Sequence, residues 1–366
     1  MLAALRKSKI RTLDIYRAIC ILAVVLIHVT SLPAVRAQRY PDSPIAIFYL
    51  VLNQFSQFAV PSFLFLSGLV LFYNYWSRSQ DSERWIGTFY KKRLMYVVIP
   101  YLLWSGIYFV FKHAVKGNLH KLREDTGKLL AGILYGDNFE HLYYFVILIQ
   151  FYLIFPLLVR AVRSSLGVKM LVPAAVLVQI LFYFFMKEVL NWDKAGDLFI
   201  TYFLQFSIGA YVGISYEAAM GFLRRWRWLC YATFVLFGFV FVFAGRLYYQ
   251  WLPELLPYKE YLNFVIYYVF TSAAALSLLL ISEALYQVLQ GRWLARLLTG
   301  IGIASFAIFL VHPLLLSLWR QVSEDVTGGP LYHLMIWAGG AVVLMLSWGF
   351  YILMCRLKWS RILIGK

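Results

Sequence analysis

The chain has 366 residues, of which 62% are hydrophobic and only 14% are charged, and its mean hydropathy is +0.71. These values exclude a single soluble globular domain and indicate a polytopic membrane protein. The formal net charge of +17 is expected to report topology rather than nucleic-acid binding, because basic residues of membrane proteins sort by side of the bilayer.

Ten apolar segments are expected to cross the bilayer as helices, because hydrocarbon offers the backbone of an isolated span no other partners. They lie near residues 12–32, 46–73, 94–112, 142–159, 170–187, 197–216, 228–246, 262–282, 300–319 and 333–355. The first carries charge and lacks a small-residue cleavage pattern, so we expect a retained span rather than a signal peptide. The expected fold is all-α, with about ten transmembrane helices in one domain over residues 1–366.

The distribution of basic residues predicts the topology. With the amino terminus inside and Arg17 left within its helix, 21 Lys and Arg fall in cytoplasmic segments and 12 in outer ones. Both termini are therefore expected in the cytoplasm. Cys20, Cys230 and Cys355 stand singly, without metal-ligand spacing, so neither a disulfide framework nor a metal site is expected.

The first span carries Asp14, Arg17 and His28, and ionisable residues inside a bilayer are costly and usually functional. Arg17 and His28 share one helix face and are separated by about 16 Å along the axis. The guanidinium near the cytoplasmic boundary suits phosphates of a cytosolic donor, and an imidazole toward the outer face can take a proton from a hydroxyl. Alternatively, Arg17 only pairs with Asp14, and His28 only bonds a neighbouring helix.

Three other places hold candidate site residues. His312, in the ninth span, is expected near the depth of His28, which suggests a shared cavity; alternatively, it satisfies the backbone opened by Pro313. Glu140 and His141 open the fourth span at the outer face and are candidate site residues. Alternatively, the Glu140 carboxylate only caps the start of the helix. The third is a basic run in the inner loop before the third span, where such a run most often anchors the topology against anionic lipid. It comprises Lys91, Lys92 and Arg93.

Four motifs in this order resemble those of the membrane-bound acyltransferase-3 family. The spacing of Arg17 and His28 resembles its Arg-x10-His signature, and the run 61–68, which ends in Ser67-Gly68 and permits close helix approach, is similar to its Pro-x-Phe-Phe-x-x-Ser-Gly element. The stretch from His141 resembles a His-Leu-Trp-Phe element, with Tyr143 where Trp is commoner. The segment 305–312 is similar to its Ser-(aromatic/small)-x-Ile-(Tyr/Phe)-Leu-x-His run.

The resemblance implies transfer of an acyl group, commonly acetyl, from cytosolic acyl-CoA to a hydroxyl of an extracytoplasmic or lipid-linked glycan. It implies a multi-pass enzyme of a bacterial cytoplasmic (inner) membrane, in contact with membrane lipids, with acyl-CoA as co-substrate and no bound cofactor. In this scheme Arg17, helped by Arg93 and its basic neighbours, holds the donor phosphates, and His28 activates the hydroxyl. Glu140, His141 or His312 orients the acceptor or stabilises the oxyanion.

Two other classes of function stay open. One is export of a cell-surface polysaccharide, because some polysaccharide-adhesin proteins that look like this family have been regarded as exporters. The other is a membrane scaffold for a glycan-synthesis complex, which needs neither Arg17 nor His28 for activity. The sequence does not name the acyl group, the acceptor or the oligomeric state.

Overall fold

The structure is a computed structural model, and it describes residues 10–37, 42–81, 83–190, 193–323, 326, 328–357 and 359–366. All regular elements in these ranges are helical, so the predicted all-α class is confirmed. In chain order, the α-helices are α1 (Thr12–Ala37), α2 (Pro44–Phe55), α3 (Ala59–Asp81), α4 (Trp85–Arg93), α5 (Ile99–Val115), α6 (Thr126–Tyr135), α7 (Tyr143–Ala161), α8 (Ser165–Phe184), α9 (Phe203–Ile214), α10 (Tyr216–Arg225), α11 (Arg227–Val242), α12 (Ala244–Arg246), α13 (Lys259–Leu289), α14 (Trp293–Val322) and α15 (Gly329–Arg356).

The described chain contains eight segments that are helical, long and apolar enough to cross a membrane. A ninth span results if α10 and α11, which meet at a bend of 75°, act together. A shorter apolar helical segment, Phe199–Ile214, lies between the span Ser165–Leu190 and the bent pair α10 and α11. The polytopic architecture is therefore confirmed, and the placement of both termini in the cytoplasm stays a prediction.

The structure differs from the sequence prediction at the sixth apolar segment, 197–216, which begins as a 3-10 turn and forms only a short α-helix. The side-chain amide of Gln150 explains the difference. Its nitrogen donates to the Asp197 carbonyl (3.0 Å), and its oxygen accepts from the Phe199 N–H (2.9 Å). These hydrogen bonds from another helix stabilise a turn at Asp197–Phe199, where the backbone of an uninterrupted helix would form only internal hydrogen bonds.

The contacts divide the chain into two compact units that alternate along the sequence. The first unit contains the described residues of 10–66 and 215–348, and the second contains the described residues of 67–214 and 349–366. The single domain over residues 1–366 stays a prediction.

α1 is packed inside the first unit and runs in the same direction as α14. A Cβ added to Gly302 on α14 would overlap the carbonyl of Asp14, so the two backbones touch near the start of α1. Further along, the rings of His28 and His312 are neighbours. The residue numbers increase in both helices from the first contact to the second, so α1 and α14 are parallel.

Proline distorts the second predicted span, as expected from the sequence. A 3-10 turn, Ser56–Phe58, separates α2 from α3 and lies just before Pro61. The ring of a proline collides with the carbonyl four residues earlier, here that of Gln57, and removes one helical hydrogen bond. The Ser56 hydroxyl donates to the Leu52 carbonyl (2.7 Å) and so stabilises the turn.

Close helix approach at Gly68 is also confirmed, within the second unit. A Cβ on Gly68 would overlap the carbonyl of Phe206, and one on Gly213 would overlap the carbonyl of Leu69. α3 and α9 therefore contact each other through their backbones, which is a common use of small residues between membrane helices.

Replacing Gly302 by Ala is expected to lower the thermal unfolding temperature of the purified protein in detergent. The added methyl group meets a backbone carbonyl of α1 that cannot rotate away, and overpacking of this kind costs about 1–3 kcal/mol or more. Gly221→Ala on α10 is the matched control, because nothing lies within 4 Å of its added methyl group. Equal melting of the two variants would contradict the close contact.

Candidate functional site

Two imidazoles lie side by side in the first unit. The ring centroids of His28 and His312 are 5.2 Å apart, and the ring planes are inclined by 57°. His312 is fully buried, whereas His28 is half-buried. The prediction that these two histidines lie at a similar depth is confirmed.

The protonation of His312 follows from its backbone contact. Its Nδ1 lies 2.8 Å from the carbonyl oxygen of Ile308, one helical turn earlier. Because a carbonyl only accepts hydrogen bonds, Nδ1 carries the proton and donates it, and the neutral ring then holds its lone pair on Nε2. The hydrogen bond to the helix backbone that the sequence analysis offered as an alternative role is thus present, and it uses Nδ1 of the His312 ring.

Arg320 is a residue of this site that the sequence analysis missed. Its Nη2 donates to the main-chain carbonyl of His28 (2.6 Å) and to Oγ of Ser31 (2.9 Å). The Ser31 hydroxyl also donates to the His28 carbonyl (2.9 Å). The feature of the sequence that could have identified Arg320 is its position on α14, about two helical turns after His312. Arg320 joins the two histidine-bearing helices directly beyond the imidazole pair.

Arg17 pairs with Asp14 near the start of α1. Nη1 of Arg17 lies 2.8 Å from Oδ1 of Asp14, and the side chains are 30% and 4% exposed respectively. The simple ion pair weighed from the sequence therefore exists. A guanidinium has five N–H donors, and this bond uses one of them, so the pair is compatible with a second role at the accessible side of Arg17.

Apolar side chains fill the face of α1 between Arg17 and His28. Ile21 and Val24 lie on that face by helical period, and they are 0% and 2% exposed. The two ionisable residues are thus about 16 Å apart along the axis, with packed side chains between them. These side chains close the direct path between Arg17 and His28 along this face of α1.

The second unit holds Glu140 and His141 in the turn before α7. Glu140 is exposed and His141 is buried, with the His141 ring 5.0 Å from that of Tyr108 and 5.9 Å from that of Phe139. Gly136 ends the preceding helix with φ +77°, a conformation that favours glycine. The turn thus places an accessible carboxylate next to an enclosed imidazole.

The basic run of the second unit lies on a helix rather than in the expected loop. Lys91 and Lys92 are exposed at the end of α4, and Arg93 is half-buried directly before a π-helical turn, Leu94–Val98. The Arg93 guanidinium lies over the rings of Phe89 (5.2 Å) and Tyr152 (4.8 Å). The two lysines thus remain accessible to an anion, while aromatic contacts fix the direction of Arg93.

An ion pair fixes the start of α4. Arg160 donates two hydrogen bonds to the Glu83 carboxylate, at 3.0 and 2.7 Å, and Arg163 lies 3.6 Å from it. The bonds from Arg160 lower the pKa of Glu83. Within this unit, α4 is therefore tied to the end of α7, and Arg93 contacts α7 at Tyr152.

The chain is similar to two curated bacterial proteins that carry the same name, "Probable poly-beta-1,6-N-acetyl-D-glucosamine export protein". The protein of Staphylococcus aureus (strain MRSA252) is 23% identical over 337 residues, which cover 87% of each chain. The protein of Staphylococcus epidermidis is 22% identical over 341 residues, which cover 88% of this chain and 86% of the relative. No solved structure matches the chain.

One family profile, described as "Acyltransferase domain", matches residues 10–354. The matched range contains all of the candidate site residues of both units. It also covers nearly the whole chain, as the resemblance of the four motifs predicted. The chain therefore belongs to the acyltransferase-3 family of membrane proteins.

Proposed function

We propose that the chain transfers an acyl group, commonly acetyl, from cytosolic acyl-CoA to a hydroxyl of an extracytoplasmic or lipid-linked glycan. The observation that carries the proposal is the contact of His28 with His312 in a multi-pass protein of the acyltransferase family. The relatives are bacterial, so the proposed location is a bacterial cytoplasmic membrane.

In this proposal the donor binds from the cytoplasmic side at Arg17. Asp14 holds the Arg17 guanidinium in place, and the remaining N–H donors of the guanidinium bind phosphate oxygens of acyl-CoA. Ile21 and Val24 then move so that the acyl end of the donor reaches His28, since both side chains fill this face in the structure.

The proposed reaction begins when His28 takes the proton of the acceptor hydroxyl. The hydroxyl oxygen attacks the thioester carbonyl, a C–O bond forms, and the C–S bond breaks. The CoA thiolate leaves and takes the proton from His28. The lone pair on Nε2 of His312 stabilises the imidazolium that forms in between, because the Nδ1 proton is committed to Ile308.

Mass spectrometry of surface glycans tests the proposal. We compare cells that lack the gene, cells that express the chain, and cells that express the His28→Ala variant. The active chain is expected to add one acyl mass per modified sugar, and this mass identifies the group and its carrier together. Glycans of unchanged mass in all three strains would refute the proposal.

Export of a polysaccharide is the second candidate, because the curated relatives are named as export proteins. An exporter moves labelled glycan across the bilayer without acyl-CoA, whereas the proposed enzyme consumes the thioester. A scaffold predicts a third result, in which His28→Ala and Arg17→Ala both leave glycan production and modification unchanged.

A further inference from the structure

α10 and α11 meet in the first unit at a corner that exposes aromatic rings and arginines together. The two helices are inclined by 75°, and Trp226 lies between them. After Arg227, α11 carries no charge, and the helix is about 24 Å long, so it suits the hydrocarbon region of a bilayer. α10 then lies close to the plane of the membrane surface, where helices with basic and aromatic side chains bind.

Contacts within the first unit fix the orientation of α10. Arg224 donates to both carboxylate oxygens of Glu283 on α13, from Nε (3.0 Å) and from Nη2 (2.6 Å). Met220 and Leu223, on one side of α10, are buried. The side of α10 that points away from the protein is therefore fixed, and its side chains reach the surroundings in a defined direction.

Aromatic side chains are exposed on both sides of the corner. Phe222 and Trp226 are four residues apart and share one face of α10, and they are 63% and 47% exposed. Trp228, at the start of α11, is 71% exposed. Exposed rings at the end of an apolar helix are typical of the headgroup level of a membrane, where the ring body contacts acyl chains and the indole N–H contacts water.

Two arginines lie among these rings. Arg225 is exposed, three residues after Phe222 on the same face of α10. The Arg227 guanidinium lies 5.3 Å from the centre of the Trp228 ring. Neither arginine forms an ion pair with a carboxylate in the part of the chain that the structure describes, in contrast to Arg224. The corner therefore carries two positive charges that no described carboxylate contacts.

A phospholipid with a negative charge complements this corner. Guanidiniums bind phosphate oxygens through paired N–H donors, and basic side chains next to a span attract anionic lipid. The distribution of basic residues predicts that this end of α11 faces the cytoplasm, where the leaflet carries anionic lipid. A soluble anion would leave the three aromatic side chains in water, whereas a lipid covers them with its acyl chains.

We infer that this corner binds the headgroup of an anionic phospholipid. Arg225 and Arg227 hold the phosphate, and the acyl chains contact Phe222, Trp226 and Trp228. The inference does not depend on the proposed function. It assigns a lipid preference to the first unit, which retains an anionic phospholipid at this corner in place of a zwitterionic one.

The test titrates the purified full chain in detergent with phosphatidylglycerol or phosphatidylcholine and counts the bound lipids by native mass spectrometry. The wild type is expected to bind its first phosphatidylglycerol about tenfold more tightly than its first phosphatidylcholine. Arg225→Gln/Arg227→Gln is expected to weaken binding of the first phosphatidylglycerol about five- to thirtyfold, since each basic residue near anionic lipid contributes about fivefold.

Lys121→Gln/Arg123→Gln is the matched control for the arginine pair. Both residues are exposed in the second unit, within residues 116–135, a stretch that contains no tryptophan. The control removes the same charge from the protein without touching the corner, so it is expected to bind phosphatidylglycerol as tightly as the wild type.

Trp228→Ala is the second variant, and it keeps both arginines of the corner. It removes the most exposed of the three rings. We expect about two- to tenfold weaker binding of phosphatidylglycerol, because the acyl chains lose apolar contact.

Three results would overturn the inference. One is wild-type binding of phosphatidylglycerol by Arg225→Gln/Arg227→Gln. Another is an equal loss in Lys121→Gln/Arg123→Gln, which would indicate attraction by net charge alone. The third is displacement of the lipid by an equal concentration of soluble glycerophosphoglycerol, which would indicate a site for a soluble anion.

Discussion

Replacing His28 by Ala is expected to lower the rate of acyl transfer by about a hundred- to ten-thousandfold, the usual contribution of general acid–base catalysis. In the proposed scheme His28 takes the acceptor proton, and His312 supports it through Nε2, because Nδ1 of His312 already donates to Ile308. The rate is measured as thiol release from acyl-CoA in membranes that contain the acceptor.

The His28→Ala variant is expected to insert and fold normally. Arg320 binds the main-chain carbonyl of residue 28, so this link between α1 and α14 does not depend on the imidazole. His120→Ala, at an exposed position of the second unit, is the control and should keep the full rate. A folded His28→Ala protein with the wild-type rate would remove His28 from the mechanism.

Loss of Arg17 is expected to have two separable consequences. Arg17→Ala removes the cation that lies 2.8 Å from the nearly buried carboxylate of Asp14, and the loss of this half-buried ion pair is expected to lower the thermal stability of the protein. It also removes the proposed phosphate contact, and loss of a charged hydrogen bond of about 1.5–3 kcal/mol corresponds to a ten- to hundredfold higher KM for acyl-CoA.

The double variant Asp14→Asn/Arg17→Gln separates these consequences. It removes both charges together, so thermal stability is expected to return toward that of the wild type, while the KM for acyl-CoA stays high. Recovery of both stability and KM would show that Arg17 serves only the ion pair. Arg17→Lys keeps the charge but loses the planar fork of the guanidinium, so its KM for acyl-CoA is expected to lie between those of the wild type and the double variant.

Much of the fold was predictable because single-span helices follow from local hydrophobicity. The ten apolar segments identified the helical regions, and Pro61 correctly marked the distorted second span. The period of the α-helix placed Arg17 and His28 on one face, and the depth estimate brought His312 to the level of His28. These inferences need only the chain itself and the thickness of a bilayer.

The remainder depended on contacts between residues distant in sequence. The amide of Gln150 reshapes the sixth apolar segment from another helix, and Gly302 matters only because the Asp14 carbonyl lies against it. The link from Arg320 to a backbone carbonyl carries no sequence signature beyond helical position. Burial of Val24 between the two ionisable residues likewise follows from neighbours that local patterns do not reveal.

The most direct test of the account uses proteoliposomes with radiolabelled acyl-CoA only on the side of the Arg17 end of α1 and acceptor glycan only on the other side. The account predicts label on the glycan, one thiol released for each acyl group transferred, and neither product with His28→Ala. Movement of glycan across the bilayer with no thiol release would contradict it and favour an exporter.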